Sequence, residues 1–318
     1  MTLVIGTDEA GYGPNLGPLV VAASVWRTTA APDDVERVLA QALEVAADAT
    51  GPLWTDSKQV YRGGAGRDGG LSSLESGVLT AVALATGRVP SGWPEFSTAV
   101  GIAPDEAAAP PEWVRLRSRP LPRNVAGPAC GDRAERVAEA LARSGVRLER
   151  IACRVVHPRE FNACLAAGLN KSDILSRITL LLAAAARAAN RDEPAVIWCD
   201  RHGGRKHYAS VVSQHFDCPL VRPIEETASR SAYDLPAARC RIEFCVGGER
   251  RGPVALASMT AKYVRELAMD AFNDLWSTRC PGLTPTAGYP VDAARWHRDA
   301  AAAIRSSGIA ADDLWRKA

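Results

Sequence analysis

The sequence predicts an α/β fold with a central mixed β-sheet flanked by helices and a helical region toward its end. Three observations carry that expectation. Strand-like and helix-like runs alternate along the chain, and two β-rich runs near the start are joined by a short Gly/Pro turn. One wholly apolar run, Ala195-Val196-Ile197-Trp198-Cys199, reads as a buried strand. The composition supports a core of this kind: of 318 residues, 47% are apolar and 23% charged, which excludes the disordered and fibrous classes. A formal net charge of +2 leaves nucleic acid open as a partner, because binding depends on how charge is clustered and not on its sum.

Leu3–Thr7 and Leu19–Trp26 read as neighbouring strands on either side of the turn Gly11–Pro18. Asp33–Ala47 follows as a helix, capped by Asp33 and apolar along Val35, Val38, Leu39, Leu43 and Val45. From 62 to 131 the pattern weakens. Gly63-Gly64, Gly69-Gly70 and Pro110-Pro111 surround a helical run at Leu74–Ala85, and the stretch reads as an insertion or elaborated surface segment. Regularity returns with a helix at Asp132–Ser144, a strand at Glu149–Val156 and an alanine-rich helix at Asn170–Asn190. Cys218–Ile224 and Cys240–Val246 are strand candidates, Val254–Asn273 is a helix, and Pro290–Trp315 reads as one or two short helices. With no internal repeat, the expectation is a single domain over 1–318 that becomes helical from about 254.

Eight cysteines are present and none forms a CxxC pair, which argues against a zinc knuckle or a redox motif. Met1 leads straight into a strand-like run without a basic leader. The most helix-like apolar run, Ile178–Ala186, is flanked by Arg177 and Arg187 and falls short of the roughly 18 residues a membrane span needs. These features predict a soluble, cytoplasmic protein with reduced thiols and no membrane segment.

Asp8-Glu9 falls where the first strand gives way to the glycine turn. Adjacent carboxylates repel, and a divalent cation offsets that repulsion, although an acidic pair beside a glycine turn is commonly just a solvated loop. Asp200 closes the buried strand, and the ends of central strands are where α/β folds place their sites. Arg201, His202, Arg205, Lys206 and His207 follow it and could meet a phosphate backbone. In the helix beyond Val254, Ser258, Lys262 and Glu266 recur at i, i+4 and i+8 and are expected on one face. The spacing Gly11-Tyr12-Gly13-Pro14-Asn15-Leu16-Gly17 mimics a dinucleotide fingerprint. Pro14 and Pro18 and the β-rich run behind them count against it as the primary reading, since such a site needs its glycines to open a helix, and a dinucleotide- or phosphate-binding enzyme stays a third alternative.

Taken together, these segments resemble the ribonuclease HII/HIII family. Gly6-Thr7-Asp8-Glu9-Ala10-Gly11-Tyr12-Gly13-Pro14, continued by Gly17-Pro18-Leu19-Val20-Val21, is similar to the family's opening motif. Thr55-Asp56-Ser57-Lys58 is similar to its Asp-Ser-Lys segment, and Val155–Pro158 with Leu169-Asn170 resembles the elements before its third acid. Ala257-Ser258-Met259-Thr260-Ala261-Lys262-Tyr263-Val264-Arg265-Glu266 resembles its Ala-Ser-Ile-x-Ala-Lys helix, and Gly288-Tyr289-Pro290 a late Gly-Tyr element. The matches run in family order along the chain, apart from 62–131.

The resemblance implies a ribonuclease H-like fold and hydrolysis of the RNA strand of RNA/DNA hybrids, or of ribonucleotides within duplex DNA. It implies two Mg²⁺ or Mn²⁺ ions held by Asp8, Glu9, Asp200 and Glu266, with Gly11, Tyr12, Gly13, Lys58, Ser258, Lys262 and Tyr289 meeting the substrate. One departure stands out: the family's basic residue between the two glycines is Tyr12 here, and a phenol is uncharged near neutral pH. The alternative reading is therefore a nucleic-acid-binding protein on the same fold, either non-catalytic or of altered specificity.

Overall fold

The computed structural model describes residues 1–51, 53–54, 67–102, 110–188 and 190–317. Seven strands form one sheet: β1 (Thr2–Ala10), β2 (Leu19–Thr28), β3 (Val146–Val156), β4 (Ala195–Asp200), β5 (Arg222–Glu226), β6 (Arg230–Leu235) and β7 (Cys240–Cys245). Their order is β3-β2-β1-β4-β7-β6-β5. β1, β2 and β3 form an antiparallel meander, β4 runs parallel to β1, β7 runs parallel to β4, and β6 and β5 close the far edge antiparallel. A mixed sheet with flanking helices is the α/β arrangement expected from the sequence.

Among the described residues the helices are α1 (Val35–Thr50), α2 (Arg67–Thr86), α3 (Trp93–Ala99), α4 (Trp113–Arg117), α5 (Gly127–Arg143), α6 (Pro158–Ala166), α7 (Lys171–Ala188), α8 (Ala209–Phe216), α9 (Gly252–Arg279), α10 (Pro290–Asp299), α11 (Ala301–Ser307) and α12 (Ala311–Leu314). They cover both faces of the sheet, which is why β1 and β4 are apolar without interruption rather than alternating with polar residues. Val4, Val20, Val196 and Trp198 pack toward α1, α2, α5 and α9, while Leu3, Ile5, Ile197 and Cys199 pack toward α7 and α8. Even-numbered positions of β1 and β4 therefore face α9 and odd-numbered ones face α7.

The described part of the stretch expected as an insertion or elaborated surface segment supplies α2 to α4 and the start of α5, and its Leu74, Val78, Leu79, Trp93, Phe96 and Leu116 are buried in the main core. The buried Glu75 carboxylate accepts the Arg123 and Asn124 N–H groups at 3.0 and 2.5 Å and the Tyr263 hydroxyl at 2.7 Å, tying this segment to α9. Two expectations are corrected, on the lengths of elements. Of the run Cys218–Ile224, only the part from Arg222 enters a strand, and its hairpin partner β6 was not anticipated. β5 is an edge strand with Arg222, Pro223 and Ile224 all exposed, so it has no alternation to read. α9 also runs six residues past Asn273, to Arg279.

All eight cysteines are free. Among the described residues no helix is long and apolar enough to cross a membrane.

α9 crosses β1 at unusually close range. A Cβ on Gly6 would lie 2.2 Å from the Pro253 carbonyl carbon, and Ser24 donates its hydroxyl to the Pro253 carbonyl oxygen at 2.6 Å. Backbone cannot yield as a side-chain tip can. Gly6→Ala is therefore expected to cost about 2–4 kcal/mol through overpacking, read as a lower urea midpoint. A loss well under 1 kcal/mol would mean that the start of α9 is free to shift.

Candidate active site

Three parallel strands, β1, β4 and β7, end on the same side of the sheet, and each delivers an acid there. The β1/β4 register pairs Thr7 with Cys199, so its next step sets Asp8 beside Asp200, both on the α9 face. β4 pairs Asp200 with Cys245 at the end of β7. The chain then makes a 3₁₀ turn, Gly248–Arg250, that carries Glu249. This turn is anchored from below. The Gly248 N–H donates to Asp200 Oδ1 at 2.8 Å, and Arg251 stacks on the Trp198 ring at 4.8 Å while pairing with Glu243 at 3.1 Å and Glu36 at 2.9 Å.

Asp8 is 6% exposed, and its carboxyl is pushed up to about 7. Burial is the main cause, followed by the charge of Asp200 and, more weakly, that of Glu249. Hydrogen bonds from the Ser258 hydroxyl and the Glu9 N–H pull the other way. The Glu9 N–H reaches Asp8 Oδ1 at 2.8 Å. Glu9 itself is pushed well above the usual carboxylate range, by burial and then by the charges of Asp8 and Asp200. Its Oε2 is shut off from solvent and has no hydrogen-bond partner among the described residues. Among the described residues, no three His, Cys, Asp or Glu side chains converge as a preformed metal shell. One oxygen each of Asp8 and Asp200 is instead engaged by a backbone N–H.

The sequence-expected residues divide as follows. Asp8, Glu9, Asp200 and Ser258 meet. Glu266 is half-buried on α9, eight residues past Ser258, which in an ideal helix is about 12 Å further along the axis and about 80° round it. Arg265, about 20° off the Ser258 azimuth by the same helical geometry, is the side chain on that line. It is buried against Gly11, whose φ of +89° and whose would-be Cβ 2.8 Å from Arg265 Nε both require glycine. The carboxylates whose charges act on Asp8 are Asp200 and Glu249. Glu249 escaped the sequence reading because Gly247-Gly248-Glu249-Arg250-Arg251-Gly252 has the composition of a solvated loop. The available signal was its position, immediately after a strand that lies beside the one ending in Asp200.

Lys262 lies one turn beyond Ser258 and is half-buried. Lys58 falls outside the described residues. Tyr289 is 57% exposed and reaches the glycine turn from the side: its ring lies 5.9 Å from the Arg265 guanidinium, and the carbonyl of the preceding Gly288 accepts the Asn15 and Leu16 N–H groups at 2.8 and 3.2 Å. Gly11, Tyr12 and Gly13 lead from β1 into β2 and not into a helix, as expected on rejecting the dinucleotide reading.

Tyr12 is half-buried over the chain beyond β4, where a Cβ on Gly203 would sit 2.9 Å from its hydroxyl. Burial raises its pKa, the charge of Glu9 adds to this and that of Arg205 opposes it, so the phenol stays neutral. The basic cluster after Asp200 is mostly committed to structure. Arg201 bonds the carbonyls of Arg205, Thr227 and Ala228, and Arg205 pairs with Asp173. His202 is buried, with Nδ1 2.9 Å from the Ser176 hydroxyl, and burial pushes it down to about 3. Lys206 and His207 remain exposed, on an open cleft of about 470 Å³ also lined by Asn170, Ser172, Gly204 and Arg205.

No protein-family model and no curated protein matches the chain. Among solved structures, the chain matches ribonuclease HII in its complex with PCNA from Archaeoglobus fulgidus at 15% identity, covering 99% of this chain and 94% of that one, with a TM-score of 0.45. It matches ribonuclease H2 from Pyrococcus horikoshii at 15% identity over 98% and 92% of the two chains, with a TM-score of 0.45. A Bst ribonuclease HIII in complex with Mn²⁺ matches at 18% identity over 99% of this chain and 66% of that chain, with a TM-score of 0.40. The solved structures to which the chain is similar thus include ribonucleases of both the HII and HIII types.

Proposed function

We propose that the chain is a divalent-metal-dependent endonuclease that hydrolyses the RNA strand of RNA/DNA hybrids or ribonucleotides embedded in duplex DNA. The observation that carries this reading is the placing of Asp8, Glu9 and Asp200 at the ends of β1 and β4, with Asp8 pushed to about 7 by burial and by the charges of Asp200 and, more weakly, Glu249, and with a buried Glu9 oxygen that has no partner among the described residues. Burial and the neighbouring acids are what raise Asp8 and Glu9. An all-oxygen, like-charged donor set in a low-dielectric setting suits a hard divalent cation such as Mg²⁺ or Mn²⁺. Asp8, Glu9, Asp200 and Glu249 are the residues that would hold two such ions, which when bound supply charge neutralisation at the phosphate and a more acidic water.

The chain's own groups prepare this arrangement. Ser258 and the Glu9 N–H orient Asp8, and the Gly248 N–H orients Asp200, so the carboxylates need little reorganisation on binding. Tyr12 offers a neutral phenol beside Glu9 in place of a cation, suited to a sugar hydroxyl or to stacking. The exposed Tyr289 ring offers a second surface, and a 2′-hydroxyl is the group by which protein tells RNA from DNA. Lys262 and Lys58 are proposed to meet phosphate, as is Ser258 once its hydroxyl is released from Asp8 by a bound cation, and an enzyme with eight free cysteines fits the cytoplasm.

Purified protein is expected to nick a labelled RNA/DNA hybrid, or a DNA duplex with one ribonucleotide, in Mg²⁺ or Mn²⁺ and not in EDTA. Asp200→Asn should remove the activity while circular dichroism stays unchanged. Tyr12 in place of a basic residue favours the second reading, a non-catalytic binder. Hybrid bound but never cut in either metal would establish that reading and sink the nuclease.

A further inference from the structure

The turn Gly11–Pro18 that follows the carboxylate pair is held from behind by a segment some 300 residues away in sequence. Leu16 bridges Trp315 as an isolated antiparallel pair. The Arg316 N–H donates to the Asn15 carbonyl at 2.8 Å, Asn15 Nδ2 returns a bond to the Arg316 carbonyl at 3.1 Å, and the Arg316 guanidinium donates to the Pro14 carbonyl. α6 locks this segment in turn. Asn162 Nδ2 donates to the Trp315 carbonyl at 2.8 Å, and Asn162 Oδ1 accepts the Lys317 N–H at 2.9 Å.

Arg316 is an expensive residue for this place. It is 1% exposed, and among the described residues its Nε and Nη1 have no hydrogen-bond partner and its guanidinium lies over the Phe161 ring at 5.1 Å. Burial, and then the charge of Arg265, push its pKa down to about 9. A buried cation without a carboxylate costs stability, and apolar side chains of similar volume often replace such groups at no loss. An arginine here is best explained by what its donors hold, which is the carbonyl of Pro14 in the turn that carries Tyr12.

We propose that Arg316 is a positioning residue: it pins Pro14-Asn15 so that Gly11-Tyr12-Gly13 is presented in one conformation to the substrate strand. This rests on the nuclease reading above for the identity of that strand. Arg316 itself lies beneath the turn and touches no reacting group. Asp8 and Asp200 are fixed by sheet pairing that does not involve it, so the inference concerns binding more than chemistry.

The test compares wild type with Arg316→Met, which keeps the volume and removes the buried charge, and with Arg316→Lys, which keeps a cation but loses the fork. In Arg316→Met the Asn15 and Leu16 amides are expected to exchange with deuterium at least about tenfold faster, as loss of a charge-assisted hydrogen bond allows. Affinity for a fluorescent RNA/DNA hybrid in Ca²⁺ should weaken about tenfold and KM should rise to match, with kcat within about threefold and Tm equal or higher. Arg316→Lys should shift exchange and affinity in the same direction, and it decides the matter should the Met variant fail to fold. Unchanged exchange overturns the inference, as does faster exchange with unchanged affinity and KM. A lower Tm with exchange and KM unmoved would leave Arg316 a packing residue and also overturn it. Should wild type bind hybrid without cutting it, the nuclease reading falls, while exchange and affinity still decide the role of Arg316.

Discussion

Glu249→Gln is expected to lower single-turnover cleavage of an RNA/DNA hybrid in Mg²⁺ by about a thousandfold, whereas Glu266→Gln should leave it within about threefold; removal of a ligand oxygen costs more than the 10- to 100-fold typical of outer-shell changes. The contrast follows from geometry. Glu249 sits on a turn braced by Arg251 and joined to Asp200 through Gly248, and its charge is felt at Asp8. Glu266 lies, by ideal helical geometry, about 12 Å along α9 from Ser258, the helix residue that bonds Asp8. Calorimetric titration with Mn²⁺ supplies a reading independent of activity: Glu249→Gln should weaken binding and Glu266→Gln should not. Loss of both cleavage and Mn²⁺ affinity in Glu266→Gln alone would return the fourth ligand to the position read from the sequence.

The contrast between these two acids also shows what the sequence could tell. β1, β2 and β4 were legible because strands buried on both faces announce themselves as unbroken apolar runs, and Asp8, Glu9 and Asp200 were legible as the acids that end them. Ser258 was legible from its helix. Glu249 was not, because its place depends on β7 pairing parallel with β4 across the crossover through α8, β5 and β6, a long-range fact that no local pattern carries. The i, i+4, i+8 spacing drifts by about 40° per step, so in an ideal helix Lys262 lies nearer the Ser258 azimuth than Glu266 does, and Arg265 nearer than either. The same holds for 67–131. Its glycines and prolines read as surface, yet Glu75 and Tyr263 draw α2 onto α9. The hold of Arg316 on Pro14 was beyond reading for a similar reason, since a lone arginine near the end of a sequence carries no periodicity.

Asp8→Asn is expected to abolish cleavage and, in EDTA at pH 8, to make the protein more stable. An aspartate that ionises at 3.8 when unfolded and at about 7 when folded binds its proton more tightly in the native state. Between those values the native state holds the extra proton, so stability falls as pH rises from about 4 to about 7 and is level above that. The full span is of order 4 kcal/mol by linkage, and relaxation of the cluster should reduce what is measured to about 1–3 kcal/mol. Denaturation curves in EDTA should therefore separate wild type and Asp8→Asn at pH 8, with the variant higher, and bring them together near pH 4. Mg²⁺ should reverse the order at pH 8, because an ion held by the native carboxylates adds stability by mass action that the variant largely forgoes. Wild type and variant differing by the same amount at pH 4 and pH 8 would mean that Asp8 titrates as an ordinary solvated carboxylate. The strain between Asp8, Glu9 and Asp200 would then be absent, and with it the physical reason to place a divalent cation there.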